Sequence, residues 1–357
     1  MSILQKIAQS FPHALSSKFP ALHTIDMHTG GEPLRILVSG GPLLDQPTVL
    51  ANRRLMEAQY DHIRTRLMYE PRGHADMYGL IPVAPERSDS DFGVLFMHNA
   101  GYSTMCGHAT LAISKLAAQA EWVNPNRIDG AIREYGLKID APCGQLNVRV
   151  IRNGDQWQEI SFVNVPSFVL DLNLSVDLPE YGPITFDLAY GGAFYAYVDV
   201  KQFSQTILPA NTDWFIQWGR LMKKAVQEQF AALIHHPFEA DLSFLYGVIF
   251  REESTEANLH SRNVCIFADG EVDRSPTGSG VSGRAAILSA KNQLEPGQRI
   301  EIASILDSRM GVCIEETTTY GPYTAVLPRV DGDAWISGYH SFVIDAQDPW
   351  KDGFLLR

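Results

Sequence analysis

The chain has no run approaching the roughly 20 consecutive apolar residues of a membrane-spanning helix, which excludes a transmembrane bundle and makes a membrane an unexpected partner. It also has no basic excess. Asp and Glu (41) outnumber Lys and Arg (29), leaving a formal charge of -12 and a pI near 5.4. A phosphate backbone would be repelled, so no nucleic-acid partner is expected. Cysteine is scarce and scattered: Cys106, Cys143, Cys265 and Cys313 include no CxxC pair. That gives neither a zinc signature nor a disulfide scaffold, and it fits a reducing, cytoplasmic setting. There is no GxGxxG after a strand-like run, no lysine motif for pyridoxal phosphate and no clustered metal ligands, so no cofactor and no metal are expected. The N-terminus lacks the basic start, apolar stretch and cleavage site of a secretory signal. Its first acidic residue is Asp26, and Ser and Lys but no Arg precede it, a faint hint of a transit peptide.

What is present is ordinary for a globular protein. The 357 residues are 45% hydrophobic and 20% charged, with a mean hydropathy of -0.10. At about 150 residues per domain this predicts two domains. Alternating runs at 144–151, 159–165 and 193–200 read as strands separated by Gly, Asp and Pro turns. Helical patterns cover 48–68, 213–234 and two small-residue stretches. The class is therefore mixed α and β, with strands dominant.

Those two small-residue stretches suggest an internal repeat. The first reads FMHNAGYSTMCGHATLAISKLAAQA and the second CIFADGEVDRSPTGSGVSGRAAILSA. Each is an apolar run, a turn cluster, a polar or reactive residue followed by Gly, then a helix. Cys106-Gly107-His108 thus corresponds to Thr277-Gly278-Ser279, at an offset of 171 residues. The Pro-containing stretch 166–183 is the expected crossover between halves, and a tail beginning near Tyr339 returns to the first half's sheet. The expected division is 1–165 with 340–357, and 166–339.

Cys106 is the leading chemical candidate. It precedes Gly107 at an expected helix N-terminus, where backbone N–H groups and the helix dipole would lower a thiol pKa towards neutrality. Alone, such a cysteine is as readily a small core residue; Cys143, Cys265 and Cys313, in strand-like contexts, have only that reading. If two helix N-termini face each other, the N–H groups around Gly107, His108, Gly278 and Ser279 can hold a carboxylate without any arginine. His108 can shuttle a proton or accept from an ammonium, or merely pack. Asp273 can receive a substrate amine, or simply close a turn. An amino acid offers both charges.

Several ordered motifs then coincide: Asp26-Met27-His28-Thr29-Gly30-Gly31-Glu32-Pro33, Glu70-Pro71-Arg72-Gly73-His74-Ala75-Asp76-Met77, Met105-Cys106-Gly107-His108, Gly191-Gly192-Ala193-Phe194-Tyr195, and Asp273-Arg274-Ser275-Pro276-Thr277-Gly278-Ser279-Gly280. Over about residues 21 to 345 the chain resembles the proline racemase superfamily. The resemblance implies an α/β (α+β) fold like that of diaminopimelate epimerase: two pseudo-symmetric lobes, each a curved sheet around a central helix, with one substrate between them. Racemases of the family resemble one another in having a cysteine on each side of the substrate α-carbon. Here Cys106 matches the first and Thr277 replaces the second. A threonine hydroxyl is too weak an acid for α-proton transfer, so the pair resembles a family member that dehydrates trans-3-hydroxy-L-proline. By resemblance, Phe267 packs on the substrate ring, Gly107, His108, Gly278 and Ser279 hold the carboxylate, and Asp273, with His108, receives the ring nitrogen. The Glu32 and His74 motifs are assigned to shaping the cleft. In this substrate the α-hydrogen and the hydroxyl lie on one ring face, so elimination is syn. One base on that face suffices: Cys106 takes the proton and, as thiol or with His108, helps protonate the leaving hydroxyl. A proline racemase or 4-hydroxyproline 2-epimerase, and a non-catalytic amino-acid-binding protein, are the competing readings; a homodimer is left open.

Overall fold

The computed structural model describes residues 19–127 and 130–356. Residues 1–18, most of the segment with the transit-peptide hint, lie outside them. The chain opens as a hairpin of β1 (Ala21–Thr29) and β2 (Glu32–Ser39). Its turn needs positive φ at both central positions, which glycine supplies: Gly30 at 58° and Gly31 at 90°. Helix α1 (Val49–Leu55), a π turn (Met56–Tyr60) and α2 (Asp61–Met68) follow, so the expected 48–68 helix is interrupted midway.

Strands β3 (Tyr78–Val83), β4 (Phe92–His98) and β5 (Gly101–Ser103) then lead into α3 (Gly107–Gln119). After it come β6 (Asn126–Arg127), β7 (Ile132–Ala141), β8 (Gly144–Asn153) and β9 (Gln156–Val163). The stretch expected as a crossover is mostly strand, β10 (Ser167–Leu178), because its apolar positions find two partners: β11 (Gly182–Tyr190) along its length and, at Ser167 and Phe168, β18 (Tyr323–Asp331). β12 (Phe194–Asp199) precedes α4 (Thr212–Phe230), which stops short of the expected residue 234. β13 (Leu245–Glu253), β14 (Ser261–Phe267) and β15 (Glu271–Asp273) lead into α5 (Gly278–Ala290). β16 (Arg299–Ala303), β17 (Arg309–Tyr320), β18 and β19 (Ala334–Val343) complete the chain, and β19 pairs antiparallel with β1. The returning strand therefore starts at Ala334, earlier than Tyr339. Among the described residues all 19 strands join one hydrogen-bonded network.

Two helices sit inside this network. β1, β2, β8, β9 and β19 pack on α3, whereas β10, β11, β12, β17 and β18 pack on α5. Residues Gly107 to Ala118 of α3 and Gly278 to Leu288 of α5 are all buried. A helix enclosed on every side has no need of a polar face, and small residues let the sheets close upon it. Its hydroxyls are satisfied locally: Thr110 Oγ1 donates to the Cys106 carbonyl (2.7 Å) and Ser282 Oγ to that of Gly278 (2.9 Å). Among the described residues no helix is long and apolar enough to cross a membrane.

The helices meet end to end. A methyl group added at Gly107 would lie 2.4 Å from Gly278 Cα, and one added at Gly278 would lie 2.6 Å from Gly107 Cα. Both clashes are with backbone, which cannot swing aside. Gly278→Ala is expected to lower stability by about 1–3 kcal/mol, seen as a fall in the urea midpoint. An unchanged midpoint would show that the helix ends part freely.

Candidate active site

A cavity of about 10 Å³ lies where α3 and α5 meet. That is room for about one water, so the cleft must part to admit anything larger. The candidates from sequence all line it: Cys106, Gly107, His108, Phe267, Asp273, Thr277, Gly278 and Ser279. Three tyrosines, Tyr78, Tyr195 and Tyr246, and Cys265 line it as well.

Cys106 is the N-cap of α3, with Sγ 3.4 Å from the Ala109 N–H and 3.2 Å from His108 Nδ1. Its expected pKa shift is overturned here. Burial raises the thiol pKa well above its ordinary value, outweighing the Ala109 N–H and the Tyr78 hydroxyl, which lower it. The same burial drives His108 down to about 3, so its imidazole is neutral at pH 7. A neutral imidazole 3.2 Å from a thiol is positioned to exchange a proton with it.

Across the cavity Thr277 precedes α5 with φ 69° and ψ 91°. A β-branched residue at positive φ is an outlier, costing on the order of 1–3 kcal/mol. The strain keeps Thr277 from capping its helix: the first turn of α5 receives no side-chain acceptor. The Thr277 hydroxyl lies near Cys265 and Asp273 and makes no well-aligned hydrogen bond to either. Cys265, read from sequence as core, is fully buried yet lines the same cavity, because β14 and β15 set it opposite Asp273. Ser279 Oγ and the Tyr195 hydroxyl are 2.7 Å apart.

Phe267 stacks on Tyr246, with ring centroids 5.4 Å apart and planes 16° apart, and stands edge-on to Tyr78. Asp273 accepts from the Ser275 N–H (2.7 Å), which is the turn expected of it, while also facing the cavity. Burial lifts its carboxyl to about 6, against Ser275.

The remaining motifs fasten this arrangement. Buried Glu32 accepts from the Arg274 N–H (2.8 Å), and the Arg274 guanidinium reaches Asp76 at 2.8 Å. Thr29 Oγ1 donates to the His108 carbonyl at 2.9 Å. The hairpin of Gly30 and Gly31 thus ties the start of α3 to the loop before α5. Gly191 and Gly192 fit between the helix ends: a methyl group on either would strike Ser279 O at 2.2 Å or Met105 Cγ at 2.6 Å. Among the described residues, no group of three or more His, Cys, Asp or Glu is arranged to hold a metal ion.

The family model described as proline racemase matches residues 24–355. The chain belongs to the proline racemase family. A trans-3-hydroxy-L-proline dehydratase of Colwellia psychrerythraea is 45% identical over 356 residues, spanning 99% of this chain and 97% of that one. The trans-3-hydroxy-L-proline dehydratase of Homo sapiens is 43% identical over 342 residues, 95% of each chain. A solved hydroxyproline epimerase from Agrobacterium vitis, with bound trans-4-hydroxy-L-proline, superposes with a TM-score of 0.87 at 26% identity, covering 94% of this chain and 95% of that one. The proline racemase fold expected from the motifs, two α/β halves with a buried central helix in each, is the one found.

In this member of the proline racemase family, Asp273 gives a signed pH test. Its folded pKa of about 6 lies above the ordinary 3.8. The folded chain therefore keeps a proton that the unfolded chain releases, and the stability present below pH 3.8 is lost as pH rises through 6. Asp273→Asn is expected to gain on wild type in urea midpoint between pH 4 and pH 7. Parallel midpoints over that range would contradict the raised value.

Proposed function

We propose that the chain is a hydro-lyase that converts trans-3-hydroxy-L-proline to Δ1-pyrroline-2-carboxylate through its enamine. The observation that carries the reading is the unlike pair at the two helix ends: a thiol beside a neutral imidazole at Cys106, and only a hydroxyl at Thr277. One side can exchange a carbon-bound proton and the other cannot. This suits syn elimination and defeats two-base inversion. The dehydratase relatives, at 45% and 43% identity, support the substrate.

In this reading the substrate lies between two lobes, 1–165 with 340–357 and 166–339. The N–H groups of Gly107, His108, Gly278 and Ser279 hold its carboxylate and stabilise the charge that spreads into it as the α-proton leaves. Asp273 takes the ring ammonium, and Phe267 packs on the ring. Cys106 as thiolate removes the α-proton, with His108 as its proton partner. No cofactor enters, and the enzyme works in the cytoplasm, with a homodimer its open assembly state.

The test follows each amino acid by NMR in deuterated water. We expect trans-3-hydroxy-L-proline to be consumed, trans-4-hydroxy-L-proline and L-proline to keep their configuration, and Cys106→Ser to be inactive. Inversion of either of the latter compounds by wild type would overturn the assignment, and so would no turnover of the first. Thr277→Cys is expected to introduce measurable inversion of trans-4-hydroxy-L-proline, because it restores an acid to the second wall.

A further inference from the structure

Dehydration needs an acid for the departing hydroxyl as well as a base for the α-proton, since hydroxide is a poor leaving group. Neither Cys106 nor His108 fills that place well. Cys106 Sγ is held at the helix end by the Ala109 N–H and is already committed to the α-carbon. His108 is neutral, and a neutral imidazole is a weaker acid than a phenol. Of the three phenols that line the cavity, Tyr195 is engaged with Ser279 Oγ at 2.7 Å, which leaves Tyr78 and Tyr246.

Tyr78 is the first residue of β3 and is 2% exposed. Its ring stands edge-on to His108, with centroids 4.8 Å apart, on the Cys106 side of the cavity. Its hydroxyl is 3.5 Å from that of Tyr246, whose ring stacks on Phe267. With the carboxylate placed at the helix ends and the α-carbon at Cys106, this aromatic group is the part of the cavity lining that stands against His108, next to Cys106. Burial keeps both phenols protonated by raising their pKa values.

We propose that Tyr78 is the acid that protonates the 3-hydroxyl as it leaves, with Tyr246 as the phenol that orients it. The proposal rests on the dehydratase reading. The Cα–H bond breaks and its proton goes to Cys106 sulfur, while the electron pair forms the C2=C3 bond. The C3–O bond breaks and the oxygen takes the Tyr78 proton, leaving as water. Tyr78 oxygen then takes the proton from the Cys106 thiol, which restores thiolate and phenol. The sum is substrate to enamine plus water, with nothing oxidised.

The test compares wild type, Tyr78→Phe and Tyr246→Phe in deuterated water. For Tyr78→Phe we expect dehydration of trans-3-hydroxy-L-proline to fall about 100- to 1,000-fold, while Cys106 still exchanges the α-hydrogen of recovered substrate with retention. With trans-3-fluoro-L-proline, whose fluoride needs far less protonation to leave, the loss should be under about 10-fold. Tyr246→Phe should show the same pattern at roughly a tenth of the loss, and it keeps the test open if Tyr78→Phe folds poorly. Dehydration by Tyr78→Phe within about threefold of wild type would overturn the proposal. So would equal losses of hydroxide elimination, fluoride elimination and exchange, which would mean that Tyr78 only supports Cys106. A wild type that dehydrates nothing would overturn the dehydratase reading, and this proposal with it; that outcome shows in wild type alone.

Discussion

The contact between Gly107 and Gly278 is the constraint on which the rest of the structure depends. Each helix presents the equivalent of about half a positive charge at its N-terminus, and here two such ends are pressed together with only hydrogen atoms for side chains. That juxtaposition is electrostatically unfavourable. It persists because both helices are enclosed by strands along nearly their whole length, so moving either end apart would unpack a core. An anion placed between the ends gains from both dipoles at once. The fold thus stores in packing what a carboxylate ligand recovers in hydrogen bonds.

Enclosure also decides the charge of every group at the site. Burial raises the thiol, the phenols and the carboxyl of Asp273, and lowers the imidazole. All of these shifts favour the neutral form. At pH 7 the thiol, the phenols and the imidazole are therefore neutral, while Asp273, at about 6, is largely ionised, so the anion at the site is a carboxylate and not the sulfur. In the proposed reaction a zwitterionic amino acid would supply the missing charge: its ammonium would pair with the Asp273 carboxylate and draw the Cys106 thiol towards its anion, while the helix ends would take its carboxylate. On this account closure and activation are one event, and groups that look unreactive in the sealed cavity become reactive when the substrate completes the charge balance.

The part of the site legible in sequence was the part that is contiguous in sequence. Cys106-Gly107-His108 and the run from Asp273 to Ser279 announce themselves as turn, polar residue and helix start, and the repeat order placed them face to face. Phe267 was reachable from the resemblance. Tyr78, Tyr246 and Cys265 were not, because each sits on a strand whose facing depends on register. Tyr78 follows the Glu70–Met77 motif by one residue, and Tyr246 meets it only through pairings set far apart in the chain. The Cys106 pKa was misjudged for a related reason: the helix dipole is visible in sequence, whereas the burial that outweighs it is a property of the closed structure. Residues 166–183 were read as a connection because the stretch contains prolines, but Pro166, Pro179 and Pro183 lie outside β10, whose residues pair with β11 and β18.

The pseudo-symmetry of the two helix ends stops at their caps, and that asymmetry is built into the backbone as well as the side chains. Cys106 is extended, at φ -146°, and its sulfur accepts from the first turn of its own helix. Thr277 is left-handed, at φ 69°, with its hydroxyl turned away from the corresponding N–H groups. The loop that imposes this is gripped by Glu32 through the Arg274 N–H and by Asp76 through the guanidinium. The Thr277 side chain therefore takes no part in capping, which would leave its helix start open to a carboxylate in the proposed reaction. For a reaction that removes one proton and never returns it from the opposite face, an uncapped helix end serves binding better than a second base would. The hydroxyl at 277 and the strained backbone there then fit one division of labour under the proposed reaction: Cys106 and the phenols beside it would handle protons, and the far helix end would handle charge.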